Sequence, residues 1–354
     1  MKISYMLKRE SFYDINEKTL KRYYLDCKDE KKLYIYPELN AIVTAHPSRA
    51  VKKYLYTEYR VSGSFLKRIA VRAYAFLMLN SGGLFAAKSV KLPTSADRDT
   101  LIYPCNKKYR IFDFDKNTVS VTPKVGFPTG DLKNEIEFRK GADADFVPSL
   151  LSCSVDGYTE RIIDGYPVAR AAEREKELSD RALSIWESYS APTREAIKCR
   201  DYADKLSGEI NSLLRELSEI EKCVDVERMM SLSNNLLDEL QASEETVTLS
   251  LSHGDLQSGN IWVENGTDKI YIIDWESYGR RSEHYDRATL YDGIRRVDRL
   301  TAYAKVKDSI HATVLLEDVI FRLKELINLP ENFGAEDFEG YMKILEERYV
   351  RRAE

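Results

Sequence analysis

The sequence predicts an α+β protein: a small mixed or antiparallel β-sheet lobe carrying one helix, followed by a larger, mainly helical lobe. Three observations lead there. Between residues 99 and 166 apolar side chains recur with a period of two, and after Pro167 they recur with the 3.6-residue period of helices. Over 246–277 the period of two returns, in a stretch dense in polar side chains. A chain of 354 residues has the length of two or three domains.

Residues 1–98 read as a basic accessory region, a helical extension that ends in the polar, proline-containing stretch SVKLPTSADRD at 89–99. Within it Phe65, Leu66, Ile69, Ala70, Ala73, Phe76 and Leu77 recur at helical spacing, with Lys67, Arg68 and Arg72 on another face, and Asn80-Ser81-Gly82-Gly83 stops the run. This predicts an amphipathic helix docked by its apolar stripe. Residues 99–166 form the sheet lobe. Thr100–Tyr103 is a short strand, and Tyr109–Phe114 and Thr118–Thr122 form a hairpin around Asp115-Lys116-Asn117. Asp131–Phe138 is a helix opened by Thr129 or Asp131, and strands resume from Phe146 to Ile163. In the lobe spanning 167–354, Leu206, Ile210, Leu213, Leu214, Leu217 and Ile220 make one core stripe. Val314, Leu315, Val319, Ile320, Leu323 and Ile327 make another.

Composition narrows the class. With 43% apolar and 32% charged residues, 10 Pro and 16 Gly, the chain is neither disordered nor fibrous. Five cysteines, an odd number with no CxxC pair, indicate neither a disulfide framework nor a zinc site, and fit a reducing, cytoplasmic setting. No run of eighteen apolar residues occurs, and MKISYMLKRESFYD lacks the apolar stretch of a secretory signal. The net charge of −4 hides an asymmetry: residues 1–100 hold 19 Lys/Arg against 10 Asp/Glu, and the remainder is acidic. Residues 41–91 carry nine Lys/Arg and one acid, Glu58, a balance that suits peripheral contact with an anionic inner membrane face. No nucleic-acid-binding motif is present.

The chemistry concentrates in 246–277. Val247, Leu249 and Leu251 alternate as a buried strand face, and Asn265-Gly266 marks a hairpin between Ile261–Val263 and Ile270–Ile273. A loop centred near residue 267 pairs position 260 with 274, bringing Asn260 and Asp274 together. A carboxylate and an amide oxygen suit a hard cation such as Mg2+, whereas zinc would want His or Cys. Asp255 lies five residues before Asn260, on the loop entering the hairpin, where a carboxylate can accept a proton from a hydroxyl. Singly these residues read as turn caps, and His253 as a core histidine. Their combination does not.

His253-Gly-Asp255-Leu-Gln-Ser-Gly-Asn260 followed by Ile-Ile-Asp274-Trp275-Glu276 resembles the catalytic loop (253–260) and metal motif (274–276) of the aminoglycoside phosphotransferase and choline kinase family, whose two-lobed fold is protein-kinase-like. The resemblance implies an ATP- and Mg2+-dependent phosphotransferase. Asp255 would be the catalytic base and Asn260 and Asp274 the metal ligands. Trp275 would stand at the Phe position of the DFG motif, with His253 and Asp286 in supporting roles. Upstream it implies a phosphate-binding lysine, Lys124 or Lys133, with Glu135 or Glu137 as its partner. Glu160-Arg161-Ile162-Ile163-Asp164-Gly165 would be a hinge whose backbone at Arg161 and Ile162 meets adenine. Pro104-Cys105-Asn106-Lys107-Lys108 would be the turn over the phosphates, without the usual glycines, with Asn106 and Lys107 as nucleotide contacts, Lys107 compensating with charge, and Cys105 at a place where glycine is expected as a candidate reactive thiol. Pro123 requires the strand before Lys124 to lie at an edge or to end there. The acceptor is expected to be a hydroxyl of a sugar, an envelope glycoconjugate or another small metabolite. The alternatives are an aminoglycoside or choline, or a catalytically inactive nucleotide-binding scaffold at the membrane.

Overall fold

The computed structural model describes residues 10–58, 65–105, 107–220, 225–291, 308–328 and 335–353. The chain divides into two compact units, Met1–Leu132 with Ser149–Ile162, and Lys133–Pro148 with Ile163–Glu354.

The first unit opens with α1 (Glu10–Tyr23), β1 (Glu30–Tyr36), β2 (Ala41–Val43), α2 (Arg49–Glu58), α3 (Phe65–Asn80) and β3 (Lys88–Pro93). It continues with β4 (Thr100–Pro104), β5 (Lys108–Asp113) and β6 (Thr118–Pro123). Helix α4 (Gly130–Gly141) belongs to the second unit from Lys133 onward, and β7 (Leu150–Ser154) and β8 (Gly157–Arg161) complete the first. The strands form one eight-stranded sheet, ordered β3-β1-β2-β4-β5-β6-β8-β7, with every pairing antiparallel. Strand alternation splits its apolar residues between two faces. Leu33, Ile35, Val90, Leu92, Ile102 and Ile111 pack with Leu20 and Tyr24 of the α1 segment. Leu101, Phe112 and Val119 pack with Val51 and Leu55 of α2 and with Ala75 and Leu79 of α3.

Two expectations change here. No domain boundary falls near residue 98, and the first hundred residues are not a purely helical extension: Ile42 pairs with Ile102, and β1–β3 belong to the same sheet as β4–β8. The polar stretch at 89–99 hides a strand signal, since Val90 and Leu92 alternate with Ser89 and Lys91 and pair with β1. The predicted helix forms as α3, but the members of its wide stripe whose side chains are described do not dock; those of Phe65, Leu66 and Ala70 lie outside the description. Ile69, Phe76 and Leu77 are 49%, 57% and 58% exposed, while Ala75 and Leu79 on the narrower opposite line are buried. The β5–β6 hairpin forms as expected, with Asn117 in the left-handed region (φ 54°).

The second unit contains β9 (Gly165–Pro167), α5 (Glu175–Ser190), β10 (Glu195–Lys198), α6 (Cys199–Glu219), α7 (Val226–Ala242) and β11 (Thr246–Ser252). Then follow β12 (Ile261–Glu264), β13 (Ile270–Ile272), β14 (Gly279–Ser282), α8 (Tyr285–Tyr291), α9 (Asp308–Asn328) and α10 (Ala335–Ala353). Two three-stranded sheets, β10-β11-β14 and β13-β12-β9, are set among these helices. Both predicted stripes are core: Leu206, Ile210, Leu214 and Leu217 of α6 meet Leu315, Val319 and Leu323 of α9, with Leu236 and Leu240 of α7. A second cluster gathers Phe138, Trp186, Leu256, Ile261, Val263, Ile272 and Trp275. Along β11 the predicted alternation breaks: Leu251 is half-buried and Ser250 and Ser252 are buried, because the Ser252 hydroxyl bonds to Asp286.

Leu79→Ala should cost about 2–5 kcal/mol, the usual loss for truncating a buried leucine. Phe76→Ser, on the same helix, should stay within about 0.5 kcal/mol of the parent. Urea denaturation of the two variants checks which side of α3 the fold uses.

Candidate active site

Within the second unit the loop from Ser252 to Asn260 is fixed by one carboxylate. Asp286, 5% exposed at the start of α8, accepts from Ser252 Oγ (3.0 Å), His253 N (2.8 Å), Gly254 N (3.0 Å) and Trp186 Nε1 (2.7 Å). The loop can turn this tightly because residue 254 is glycine. Its φ is +80°, and a Cβ there would lie 2.1 Å from Ser277 O.

His253 is fully buried and both ring nitrogens are used. Nε2 is 3.0 Å from Ile273 O, and Nδ1 accepts from Asp255 N at 3.2 Å, which sets the Nε2–H tautomer. Burial holds its pKa below the ordinary value, so the ring is neutral, as a group donating at one nitrogen and accepting at the other must be. It is not placed to bind metal.

The Asp255 side chain accepts from Gln257 Nε2 at 2.5 Å and from Asn260 Nδ2 at 3.2 Å. Asn260 Nδ2 also donates to Asp255 O at 2.9 Å, which turns the amide oxygen of Asn260, its acceptor end, away from the loop backbone. The hairpin register differs from the expected one by a residue: Ile261 pairs with Ile272, and Ile273 N–H donates to Asn260 O at 2.9 Å. Two left-handed loop residues, Gly266 and Asp268, close a four-residue loop between Glu264 and Lys269, which moves the centre of the turn. Asp274 thus lies one position past the ladder, and its own backbone is left-handed (φ 71°, ψ 57°), a conformation a non-glycine residue holds at a cost.

Helix α4 meets this motif directly. Asn134 Nδ2 donates to Glu276 O and Tyr278 O, both at 3.0 Å. Phe138, one turn on, stacks on Trp275 with ring centroids 4.1 Å apart. Trp275 is fully buried, donates to Ile272 O at 2.9 Å and lies 4.4 Å from the His253 ring. On the same face of α4, Glu135 is 1% exposed and lies 3.5 Å from Arg139. One ligand oxygen from each of Glu135, Asp274 and Glu276 falls within 4.8 Å of the others. An all-oxygen set of this kind suits a hard divalent cation rather than zinc.

In the first unit, β6 ends at Pro123, as that residue requires, and Lys124 follows it, 6% exposed, its backbone N–H on Lys107 O (2.8 Å) and its ammonium over the Tyr109 ring (5.5 Å). Burial lowers its pKa from 10.5 to about 8. Lys107 pairs with Asp131 at 2.8 Å. Asn106 lies outside the described residues. The alternatives Lys133 and Glu137 are exposed. Glu160 is buried in β8, between Val119 and Leu150. Arg161 pairs with Thr118, and Ile162 N–H, expected to face adenine, instead donates to Asn117 O at 3.2 Å. In the second unit Gly165 meets β12 so closely that a Cβ would lie 2.1 Å from Val263 O.

Residues 137–292 match the family model described as choline/ethanolamine kinase. The chain therefore carries a small-molecule kinase domain, a phosphotransferase acting on a hydroxyl. The match begins inside α4 and contains the whole 253–286 constellation. A search of curated proteins finds no match. Among solved structures, the Plasmodium vivax ethanolamine kinase is 14% identical with a TM-score of 0.48, covering 90% of this chain and 98% of that one. The Streptococcus pneumoniae choline kinase LicA is 14% identical with a TM-score of 0.44, covering 72% and 92%. A choline/ethanolamine kinase family protein from Mesorhizobium loti is 13% identical with a TM-score of 0.45, covering 72% and 86%. Similarity at this level carries no statement about substrate.

Sequence reading missed Asn134, Phe138, Trp186 and Gln257, and the grouping of Glu276 with Asp274 and Glu135. The i, i+4 spacing of Asn134 with Phe138 and of Glu135 with Arg139 was the available signal.

Lys124 supplies a pH test. A lysine held below its ordinary pKa favours the folded state more as pH rises between the two values, so stability climbs from about pH 8 toward 10.5. The full effect is on the order of 3 kcal/mol. Lys124→Met should flatten this rise, read as the difference between parent and variant in denaturation curves taken across that range.

Proposed function

We propose that the protein is an ATP- and Mg2+-dependent kinase that phosphorylates a hydroxyl of a sugar, an envelope glycoconjugate or another small metabolite. The observation that carries this reading is the held loop: Asp255 is fixed through His253 and Asp286, linked to Asn260 by the Asn260 amide, and followed by the strained Asp274.

In this mechanism Asp255 accepts the proton of the acceptor hydroxyl and orients its oxygen for attack. Gln257 and Asn260 keep the Asp255 carboxylate in one rotamer, which lowers the reorganisation needed at the moment of transfer. Asn260 Oδ1 and the Asp274 carboxylate are the proposed metal ligands, with Glu276 and Glu135 beside Asp274. The cation, when bound, neutralises charge on phosphate oxygens. In the first unit buried Lys124 is assigned to the phosphates in preference to exposed Lys133. Below about pH 8 it is cationic, and a neighbouring phosphate keeps it so.

The sugar-type acceptor is favoured over a cationic one by a grouping in the helical unit. Glu317, Asp318, Tyr202, Tyr285 and Tyr341 gather buried acid and aromatic surface of the kind that receives a cation. The chain's own guanidinium groups already face those rings, Arg281 at 5.1 Å from Tyr285 and Arg322 at 5.1 Å from Tyr341. The family match favours the second reading, an amine-bearing alcohol such as choline.

A panel of sugars, choline, ethanolamine and aminoglycosides assayed for ATP consumption with Mg2+ separates these readings. Asp255→Asn should lower turnover by about 10^2–10^4-fold with nucleotide affinity kept, while Asp274→Ala should weaken Mg2+-nucleotide binding as well. Unchanged transfer by Asp255→Asn would remove the base assignment, and nucleotide binding without any turnover would make the protein a scaffold.

A further inference from the structure

The stripe of α3 that the fold leaves uncovered continues beyond the helix. After Asn80 the chain turns tightly, with Ser81 Oγ on Met78 O (2.8 Å), Asn80 Nδ2 on Phe76 O (2.7 Å), and Leu84 and Ala86 N–H groups returned to Ser81 O and Gly83 O (both 3.2 Å). This turn holds Leu84 and Phe85, 79% and 52% exposed, directly after Ile69, Phe76 and Leu77. Five large apolar side chains within seventeen residues of one unit thus face solvent, whereas exposed hydrophobics scattered singly would need no explanation.

The charge around this apolar face is mostly positive. Residues 49–80, which make up α2, α3 and their connection, contain seven Lys/Arg and a single acid, Glu58. Arg49, Lys53 and Arg72 are exposed, and Lys52 bonds to Asn80 at the end of α3 (2.7 Å). Glu38 stands at the margin, beside Tyr74. Lys88 and Lys91 of β3 pair with Glu17 and Glu30. A protein partner would need a surface both apolar and acidic. An anionic bilayer offers both at once, since phosphate headgroups meet the basic flank and the acyl boundary receives Phe and Leu. No helix among the described residues is long and apolar enough to cross a membrane, so the contact is one of lying on the surface.

We propose that α3 and the turn at 81–85 form a docking face for an anionic lipid surface, with Ile69, Phe76, Leu77, Leu84 and Phe85 entering the interface and Arg49, Lys53 and Arg72 facing headgroups. The proposal concerns the first unit alone and stands whether or not the kinase reading holds.

The test is co-sedimentation of the full chain with extruded vesicles, either pure phosphatidylcholine or phosphatidylcholine mixed equally with phosphatidylglycerol. Wild type should pellet with the anionic vesicles and stay in the supernatant with the neutral ones, and added salt should weaken the binding. Phe76→Ser/Leu77→Ser should reduce partitioning about tenfold, and Arg72→Glu several-fold, with far-UV circular dichroism unchanged. The proposal falls if wild type ignores anionic vesicles, or if it binds them equally well after the double substitution. It also falls if light scattering shows a dimer that the double substitution dissociates, which would make the face a contact between copies. Should the double variant unfold, the comparison of wild type on the two vesicle types still decides.

Discussion

The Asp286 carboxylate accepts four hydrogen bonds in a nearly dry environment, and the turn His253-Gly254-Asp255 has its shape because its donors converge there. Hydrogen bonds to a charged acceptor contribute about 1.5–3 kcal/mol each, more than the neutral bonds of an ordinary loop. Two of the four donors are consecutive backbone N–H groups, so the carboxylate fixes the peptide planes and not merely a side chain. Everything downstream inherits this constraint. The N–H of Asp255 reaches His253 Nδ1 only when the turn is closed, and the neutral ring then spans to Ile273 O, on the residue before Asp274. Asp255 and Asp274, the proposed base and metal ligand, stand nineteen residues apart in sequence and are tied together through one imidazole.

A second constraint comes from α4, which acts on the other side of the Asp274-Trp275-Glu276 turn. Asn134 caps the carbonyls of Glu276 and Tyr278 while Phe138 stacks on Trp275, so the helix grips the residues flanking Glu276 on both sides. The same helix face delivers Glu135 into a group with Asp274 and Glu276. Carboxylates within 4.8 Å of one another repel by on the order of 3 kcal/mol or more per pair at an intermediate dielectric. Arg139, 3.5 Å from Glu135, offsets part of that, and a divalent cation would offset more. The left-handed backbone of Asp274 adds its own local cost, on the order of 1–3 kcal/mol. The fold sustains both costs through the Trp275–Phe138–Trp186 packing beneath them.

What was legible in the sequence follows from which forces act locally. The hairpins were readable because turn residues with left-handed preference, Asn117 and Gly266, mark them within a few positions. The loop 253–260 was readable because its residue types are chemically unusual together. Register was less so: Asp268 also adopts φ 55°, and that single extra left-handed residue displaces the pairing of Asn260 from Asp274 to Ile273. Long-range partners were not readable at all. Nothing within a few residues of Trp186 points to Asp286 a hundred positions away, and β1 and β3 were overlooked because Lys and Ser alternate with their buried residues. The resemblance implies that the backbone at Arg161 and Ile162 meets adenine, and nothing local in the sequence shows that the Ile162 amide donates to Asn117 O.

Helices α3 and α6 show where hydrophobic periodicity stops being informative. Both carry apolar stripes at helical spacing, and a moment measures only that a helix has two faces. In α6 the stripe is covered by α7 and α9, each contributing leucines at matching heights. Among the described side chains of α3 the sheet beneath accepts the small line through Ala75 and Leu79, beside Val51 and Leu55 of α2. A Phe or Leu on the outer line adds little to folding at about 25 cal/mol per Å2, since roughly half of its area stays wet in the folded chain. The fold would be satisfied by polar residues at Ile69, Phe76 and Leu77. Their apolar character therefore suits the lipid surface proposed for this face, an environment that the described residues do not supply.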